Sequence, residues 1–384
     1  MTNTRSATPP GEILGLFLKL GLIGFGGPAA HIALMEKEAV ERRHWLSREQ
    51  FLDLVGGCNL LPGPSSTQVA MALGFTRRGW LGLFIAGVCF IVPAFLATLA
   101  LAWAYVRYGH FPQAQGLLYG AKPVMVAIIA QAVWRLGRMA LHGWALVLLG
   151  AACFVAAFFG VPPIAILLAS GGLLLAIALT RSRSANRIPS AQAMAWLSFG
   201  AAGASGLGGA ASLGSIALTF LKLGVVVFGS GYVLLAFLRT DLVDRLHWIT
   251  EQQLLDAITA GQVTPGPVFA TATFLGYLLR GWSGAVVATV AIFVPSFFLA
   301  AAVGALASRI RRSKLAASFI DGVNVAAVAL MAEVGMMLGK ATLIDGWTCA
   351  IAAVSAVLLL RFQVNATWLI LSGAALGILL HGLH

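Results

Sequence analysis

Long apolar runs separated by short charged loops dominate the chain. Residues 80–104 contain no charged residue, and a helix of about 20 apolar residues spans a bilayer core about 30 Å thick. Residues 146–180 form a second uncharged run, which Pro162 and Pro163 divide into two spans. This pattern predicts an all-α polytopic membrane protein whose solvent is the lipid bilayer.

An internal repeat divides the chain into two halves. Residues 17–21 (Phe-Leu-Lys-Leu-Gly) recur as residues 220–224, and Pro62-Gly63-Pro64 recurs as residues 265–267, both at an offset of 203. Over residues 17–64, 18 of 48 positions are identical at this offset, against about three or four for unrelated sequences of average composition. We therefore predict three regions: an N-terminal transmembrane repeat at 12–180, a linker at 181–211 and a C-terminal transmembrane repeat at 212–381.

Each half shows the same order of elements. A first helix is interrupted by glycine, a weakly apolar segment with Pro-Gly-Pro in its middle follows, and four plain apolar spans complete the half. The arms of the Pro-Gly-Pro segment are short for full spans, which favours re-entry. Five spans per half orient the two copies oppositely, so we predict two inverted five-span repeats, each with a broken first helix and a re-entrant Pro-Gly-Pro hairpin. An eleventh span within residues 191–214 is the alternative and would make the repeats parallel.

The charges fix an orientation and exclude several partners. Only 10% of the residues are charged, against about 25% in soluble domains. The 25 Lys and Arg residues outnumber the 13 Asp and Glu residues and lie mostly in loops, which is the positive-inside pattern rather than a nucleic-acid surface. It predicts an inner-membrane protein with both termini outside. The four cysteines form no CxxC pair and no Cys/His cluster, so we expect no disulfide, metal or cofactor.

Lys19 and Lys222 occupy equivalent positions in the first helices. A lysine inside a span costs about 2.5–3.5 kcal/mol and by default marks a functional site, although a lysine near a helix end can instead reach the headgroups. We expect no acid near either lysine within the membrane. Both are therefore predicted to contact an anionic substrate.

The helix breaks supply hydrogen-bond donors. Gly26 and Gly27 interrupt the first helix, Gly229 and Ser230 interrupt its copy, and Gly63 and Gly266 lie at the hairpin tips. A helix that restarts inside a membrane directs unpaired N–H groups and a positive dipole end at one point, which suits an anion; the alternative is that these residues only kink the helices. Further substrate-binding candidates carry hydroxyl, amide or imidazole groups close to the breaks: His31, Asn59, Ser65, Ser66, Gln262 and Thr271.

Histidine and acidic residues leave more than one interpretation open. His31 can donate to the anion, titrate, or bond to a backbone carbonyl. Glu333 lies inside an apolar span and is either a proton-coupling carboxylate or a packed, hydrogen-bonded one. The paired acids Glu38/Asp241, Glu41/Asp244 and Asp53/Asp256 flank basic residues, and we predict that they form structural salt bridges rather than carry protons.

Two motifs resemble those of the chromate ion transporter family. They are Phe25-Gly-Gly-Pro-Ala-Ala-His31 and Cys58-Asn-Leu-Leu-Pro-Gly-Pro64, and residues 228–233 with 261–267 resemble the second domain of the two-domain form of that family. The resemblance covers nearly the whole chain and implies chromate export, chromate resistance and a link to sulfate. Asn59 departs from the family pattern, where glutamine is expected, but keeps an amide donor.

The leading hypothesis is a secondary transporter that exports chromate or a related tetrahedral oxyanion across the inner membrane. The alternatives are uptake or exchange of a sulfate-like oxyanion, and an intramembrane enzyme acting on a lipid-linked phosphate. Such an enzyme would need paired acids, an activated nucleophile or a metal cluster at one depth, which the sequence does not offer, so we predict no enzymatic activity. A homodimer is compatible with each of these functions.

Overall fold

The computed structural model describes residues 8–109, 111–182, 211–227, 233–312 and 314–381, and these form helices joined by short connections. The N-terminal half contains seven α-helices, and α2 continues into a π-helix at Lys37–Arg42. Its helices are α1 (Pro10–Ile23), α2 (Gly27–Glu36), α3 (Arg48–Asn59), α4 (Ser65–Tyr108), α5 (Pro112–Ala140), α6 (Trp144–Phe158) and α7 (Pro163–Ser182).

The C-terminal half repeats this order. A π-helix at Arg239–Arg245 follows α9, and a 3-10 turn at Val268–Ala270 precedes α11. Its helices are α8 (Leu213–Val226), α9 (Val233–Leu238), α10 (Glu251–Val263), α11 (Thr271–Arg312), α12 (Lys314–Thr342), α13 (Gly346–Arg361) and α14 (Ala366–His381). Most of the suspected eleventh span, residues 191–210, lies outside the described residues.

Equivalent hairpins and kinks appear in both halves. Ser47 and Thr250 begin α3 and α10 with capping boxes, in which the side chain accepts from the third residue of the helix and satisfies an otherwise unpaired N–H group. Helix α4 bends at Arg78-Gly79 and α11 bends at Arg280-Gly281, with nearly the same dihedral angles. The chain therefore forms the predicted pair of short arms around Pro-Gly-Pro, and a long apolar helix follows each pair.

The two halves interlock rather than sit side by side. Helices α4 and α11 pack together at the centre, flanked by α1 on α4 and by α8 on α11. Helix α5 of the first half packs against α13 and α14, and α12 of the second half packs against α6 and α7. Because each half completes the core of the other, the described residues form one continuous hydrophobic core.

The helix lengths and surfaces agree with a multi-pass membrane protein. Within the described ranges, five helices are long and apolar enough to cross a membrane, and four shorter helices are also apolar. Large apolar side chains on the outside of α4, such as Trp80 and Leu96, are more than half exposed, as expected of a surface that faces lipid. The fold-class prediction of an all-α polytopic membrane protein is confirmed, whereas the number and direction of the spans remain predictions.

Candidate functional site

Each Pro-Gly-Pro loop is bonded to the helix break of the opposite half. The N–H of Gly63 donates to the carbonyl of Val227 at 2.6 Å, and the N–H of Gly266 donates to the carbonyl of Gly24 at 2.7 Å. Gly24 and Val227 are themselves equivalent at the offset of 203. Reciprocal contacts of this kind are characteristic of a two-fold relation. The expectation that the Gly63 and Gly266 amides are free for a ligand is therefore wrong.

The hairpin tips need glycine for backbone reasons. Gly63 and Gly266 have φ angles of 108° and 92°, a region that side-chain-bearing residues seldom adopt. A Cβ atom on Gly63 would lie 2.8 Å from Gln68 Nε2 and 2.9 Å from Ser296 Oγ. Gly26 and Gly27, at the first break, also have positive φ angles of 98° and 79°. These positions fit the predicted role of the breaks as backbone features.

Six buried polar residues lie near Gly63 and the start of α4, and we call them the polar centre. They come from α2, from the first turns of α4 and from the middle of α11: His31, Ser65, Ser66, Thr67, Gln68 and Ser296. The equivalent positions in the opposite halves are apolar except for one threonine: Leu234, Val268, Phe269, Ala270 and Thr271 in the second half, and Ala94 in the first. The polar side chains of the polar centre therefore lie beside one of the two Pro-Gly-Pro loops, although both loops have a similar backbone conformation.

The polar centre holds unused hydrogen-bonding capacity. Pro64 precedes α4, and no side chain caps the helix, so the amides of its first turn lack an intrahelical acceptor. Among the described residues, Thr67 Oγ1 and Ser296 Oγ are buried and have no hydrogen-bond partner. Gln68 donates its side-chain nitrogen to the Pro62 carbonyl at 2.5 Å, which leaves its Oε1 atom without a donor. Buried polar atoms are normally paired. The two hydroxyl groups can donate to a ligand, whereas Gln68 Oε1 can only accept, so the cluster is a candidate binding site.

His31 connects the first helix break to the polar centre. Its Nε2 atom lies 2.9 Å from the Gly24 carbonyl, and its Nδ1 atom lies 3.3 Å from Ser66 Oγ. Since a carbonyl only accepts, Nε2 carries the proton, and neutral Nδ1 can accept from the Ser66 hydroxyl. Of the three interpretations offered by the sequence, the bond to a backbone carbonyl is the one observed. The contact with Ser66 also places the ring beside the start of α4.

The two lysines have carboxylate partners. Lys19 donates to Glu38 at 2.8 Å, and Lys222 contacts both oxygens of Asp241 at 2.9 and 2.7 Å. The expectation that no acid lies near either lysine is therefore wrong. The chain reverses at the helix break and brings the π-helical segment back to the first helix, so the charge of each lysine is balanced within the protein. The prediction that Glu38 and Asp241 form salt bridges is confirmed.

The other predicted residues occupy different environments. Asn59 is exposed at the end of α3, whereas its equivalent Gln262 is buried and has no partner for Nε2 among the described residues. Thr271 donates its hydroxyl to the Val268 carbonyl at 2.8 Å. Glu333 is buried in α12 near the charges of Arg239. Gly229 and Ser230 lie outside the described residues.

Sequence reasoning missed Gln68, Thr67 and Ser296. Gln68 aligns with Thr271 in the repeat, and this pairing of two polar residues at a helix start was a signal that could have identified it. Ser296 follows Pro295 in a plain apolar span of the other half. Its proximity to Gly63 depends on long-range packing between the halves, and no local pattern indicates it.

A duplicated bundle of apolar helices, with glycine-broken helices and a buried polar centre where the halves meet, defines a polytopic membrane transporter. A family model described as "Chromate transporter" matches residues 11–175 and again residues 214–378. The chain belongs to the chromate transporter family, which consists of transporters and not of enzymes.

Relatives of similar length support this assignment. The chain is 32% identical to the "Probable chromate transport protein" of Synechococcus elongatus over 87% of its own length and 86% of that protein. It is 31% identical to the "Chromate transport protein" of Cupriavidus metallidurans over 95% and 91% of the two chains. The corresponding protein of Pseudomonas aeruginosa is 32% identical over 88% and 84%. No solved structure matches the chain.

Proposed function

We propose that this protein exports chromate, or a related tetrahedral oxyanion, and binds it at the polar centre. The single observation that carries the proposal is the buried, uncapped start of α4 beside the hydroxyl groups of Thr67 and Ser296, which have no partner in the part of the chain that the structure describes. A helix N-terminus offers N–H donors and a positive dipole end to an anion. The names of the relatives, which refer to chromate transport, support chromate as the cargo.

The negative charge of chromate favours export from a cell whose interior is negative. Each elementary charge that moves through 100 mV gains about 2.3 kcal/mol, so a dianion that leaves an inside-negative cell gains about 4.6 kcal/mol. This energy sustains a concentration ratio of more than about a thousandfold. The membrane potential alone can therefore drive export, and a proton-coupled cycle through Glu333 is an addition rather than a requirement.

The proposed arrangement in the membrane keeps part of the sequence-based topology. The repeats, at 12–180 and 212–381, lie inverted in the inner membrane with the hairpin tips near the midplane. Thr8, just before α1, accepts hydrogen bonds from Arg77 and Arg78 at the end of the first hairpin, so the broken first helix returns to the face at which it begins instead of crossing the membrane, and the N-terminus lies on the face proposed to be cytoplasmic. The reciprocal bonds from Gly63 and Gly266 support a two-fold relation between the halves. Loops rich in Lys and Arg support the direction.

The binding residues proposed from the sequence take unequal parts. Gly26, Gly27, Gly63 and Gly266 shape the breaks, while His31, Ser65 and Ser66 belong to the polar centre. Asn59, Gln262 and Thr271 line the routes to it, and Gly229 and Ser230 stay candidates on the sequence alone. Glu38 and Asp241 hold Lys19 and Lys222 in ion pairs, and a direct contact of these lysines with the anion is the alternative.

Chromate flux in proteoliposomes tests the proposal. Ser296→Ala and Thr67→Val each remove one donor, and hydrogen bonds to charged groups are worth about 1.5–3 kcal/mol. Chromate affinity should therefore fall about tenfold to hundredfold in each variant. Ser283→Ala is the matched control, because Ser283 lies on the same helix but is exposed. Unchanged affinity in both test variants would place the site elsewhere.

Direction and cargo need separate arms of the same experiment. With an imposed inside-negative potential, preloaded radiolabelled chromate should leave right-side-out vesicles, and sulfate should compete because it shares the charge and shape of chromate. Accumulation of sulfate against this potential, without chromate efflux, would instead support coupled uptake or exchange of a sulfate-like anion.

A further inference from the structure

The two re-entrant hairpins differ in burial although their sequences are related. On α3, Leu52 is 53% exposed, and on α10 its equivalent Leu255 is 3% exposed. Asp53 is exposed, whereas its equivalent Asp256 is buried. One face of α3 therefore meets the outside of the protein, while the corresponding face of α10 is covered.

Helix α10 is covered by the first half of the chain. It packs against α5 and α4, and also against α14. Lys122 on α5 forms an ion pair with Asp256 at 2.9 Å, and the hydroxyl of Tyr105 on α4 donates to the other carboxylate oxygen at 2.9 Å. We call Tyr105, Lys122 and Asp256 the closing cluster. It joins three helices from both halves at the base of the second hairpin.

The lysine of this ion pair is not repeated in the second half. The position equivalent to Lys122 is Asn324. The side chains of Lys122 and Asp256 are 12% and 2% exposed. Charges so little hydrated are tolerated when they are paired and become unfavourable when one partner is removed. The pair is therefore stable only while α10 stays packed against the first half.

We propose that the closing cluster seals the access route along α10, and that the exposed face of α3 forms the open route to the polar centre. The three residues are positioning residues that hold one of the two access states of the transporter. Inverted repeats exchange their conformations to expose a central site to each side in turn. In the orientation proposed above, the α3 route opens to the cytoplasm, which is the side from which an exported anion enters. This inference rests on the proposed transport function.

Thiol labelling of the full-length protein measures the two routes directly. Cys58, Cys89, Cys153 and Cys349 are replaced by alanine, and a single cysteine is introduced by Asn59→Cys or by Gln262→Cys. Inside-out and right-side-out vesicles are then treated with a membrane-impermeant maleimide. When a minor state is populated at about 0.1–10%, a site open only in that state reacts at least about tenfold more slowly. We expect fast labelling of Asn59→Cys from the cytoplasmic side and slow labelling of Gln262→Cys from either side.

Removal of the ion pair should reverse this pattern. Lys122→Met and Asp256→Asn should each raise the labelling rate of Gln262→Cys from the outside by about tenfold or more, and should lower that of Asn59→Cys. The charge exchange Lys122→Asp with Asp256→Lys should restore slow labelling, which a merely structural defect would not do. Tyr105→Phe removes one hydroxyl and should raise the rate to a smaller extent. It serves as the test if the charge variants fail to fold.

Arg361→Met is the control, because it removes a charge from the exposed end of α13 and should leave the labelling of Gln262→Cys unchanged. Two results would overturn the inference. One is equal labelling of Asn59→Cys and Gln262→Cys while the closing cluster is intact, and the other is an unchanged Gln262→Cys rate in all three closing-cluster variants. Absence of chromate flux in the unmodified protein would contradict the proposed function alone, since the labelling rates do not depend on the transported anion.

Discussion

The two repeat-related ion pairs of the first helices should respond differently to loss of their lysines. Asp241 contacts Lys222 through both oxygens, and among the described residues its other ion-pair partner is Arg245 at 3.4 Å. Glu38 contacts Lys19, and it also contacts Arg42 at 2.8 Å and Arg43. Lys222→Met therefore leaves a buried carboxylate with one distant cation, whereas Lys19→Met leaves a carboxylate with two close ones.

The exposure of the lysines sets the magnitudes. Breaking a fully buried pair costs about 3–5 kcal/mol, but the side chain of Lys222 is 31% exposed and Arg245 stays in place. We therefore expect Lys222→Met to lower the free energy of unfolding by about 1–3 kcal/mol. Lys19 is 47% exposed, so Lys19→Met should cost no more than about 1 kcal/mol.

A double-mutant cycle in detergent separates the ion pair from substrate binding. Unfolding free energy and chromate affinity are measured for Lys222→Met, Asp241→Asn and the double variant. If the role of Lys222 is to balance the charge of Asp241, the double variant should recover both the unfolding free energy and the chromate affinity, with a coupling energy of about 1–2 kcal/mol. Arg361→Met, on the exposed end of α13, removes a positive charge from outside the site and serves as the control.

A direct contact between Lys222 and the anion predicts a different pattern. Lys222→Met would then weaken chromate affinity without destabilising the protein, and Asp241→Asn would not rescue it. That outcome would refute the ion-pair reasoning and restore the lysine to the binding site.

Three further outcomes are expected. Gly63→Val should abolish chromate flux, because a side chain at the positive φ costs about 1–3 kcal/mol and overpacking against Ser296 adds about 1–3 kcal/mol. Gly172→Ala is the control and should transport normally in the same vesicles, because a Cβ at Gly172 meets nothing within 4 Å. Glu333→Gln should leave potential-driven chromate flux intact and remove any pH-driven component, as a pyranine assay would show. Asp345→Ala should lower the unfolding free energy by about 1 kcal/mol through loss of the α13 cap. The Tyr119 hydroxyl holds the pKa of Asp345 below its usual value, so this difference should persist at neutral pH and shrink only as the pH falls through that lowered pKa.

The elements of the fold were predictable because they depend on local signals. Residues 146–180 were predicted to form two spans divided by Pro162 and Pro163, and α6 ends just before these prolines while α7 begins at Pro163. The Pro-Gly-Pro segments divide into short arms as expected, because proline and glycine end one helix and the next begins within a few residues. The length of an apolar run and the positions of helix-breaking residues can both be read from the local sequence.

The contacts between distant segments were not predictable from such patterns. The pairing of Lys19 with Glu38 depends on the angle at which the chain reverses between α1 and α2. The sequence did hold a signal, since Lys222 and Asp241 are separated by the same 19 residues. Ser296 offered none, because the packing of α11 against the opposite loop decides its place near Gly63.

Duplication has preserved the backbone of this protein more strictly than its chemistry. Both halves keep the hairpin glycine with positive φ, the reciprocal bond to the opposite break and the kink before the long span. Three hydroxyl residues, Ser65, Ser66 and Thr67, follow the first hairpin tip, whereas Val268, Phe269 and Ala270 follow the second. Symmetry of the scaffold serves movement between two states, for which both halves need equivalent hinges. Binding needs one set of donors, so a chain that uses the polar centre as proposed carries one anion in each cycle.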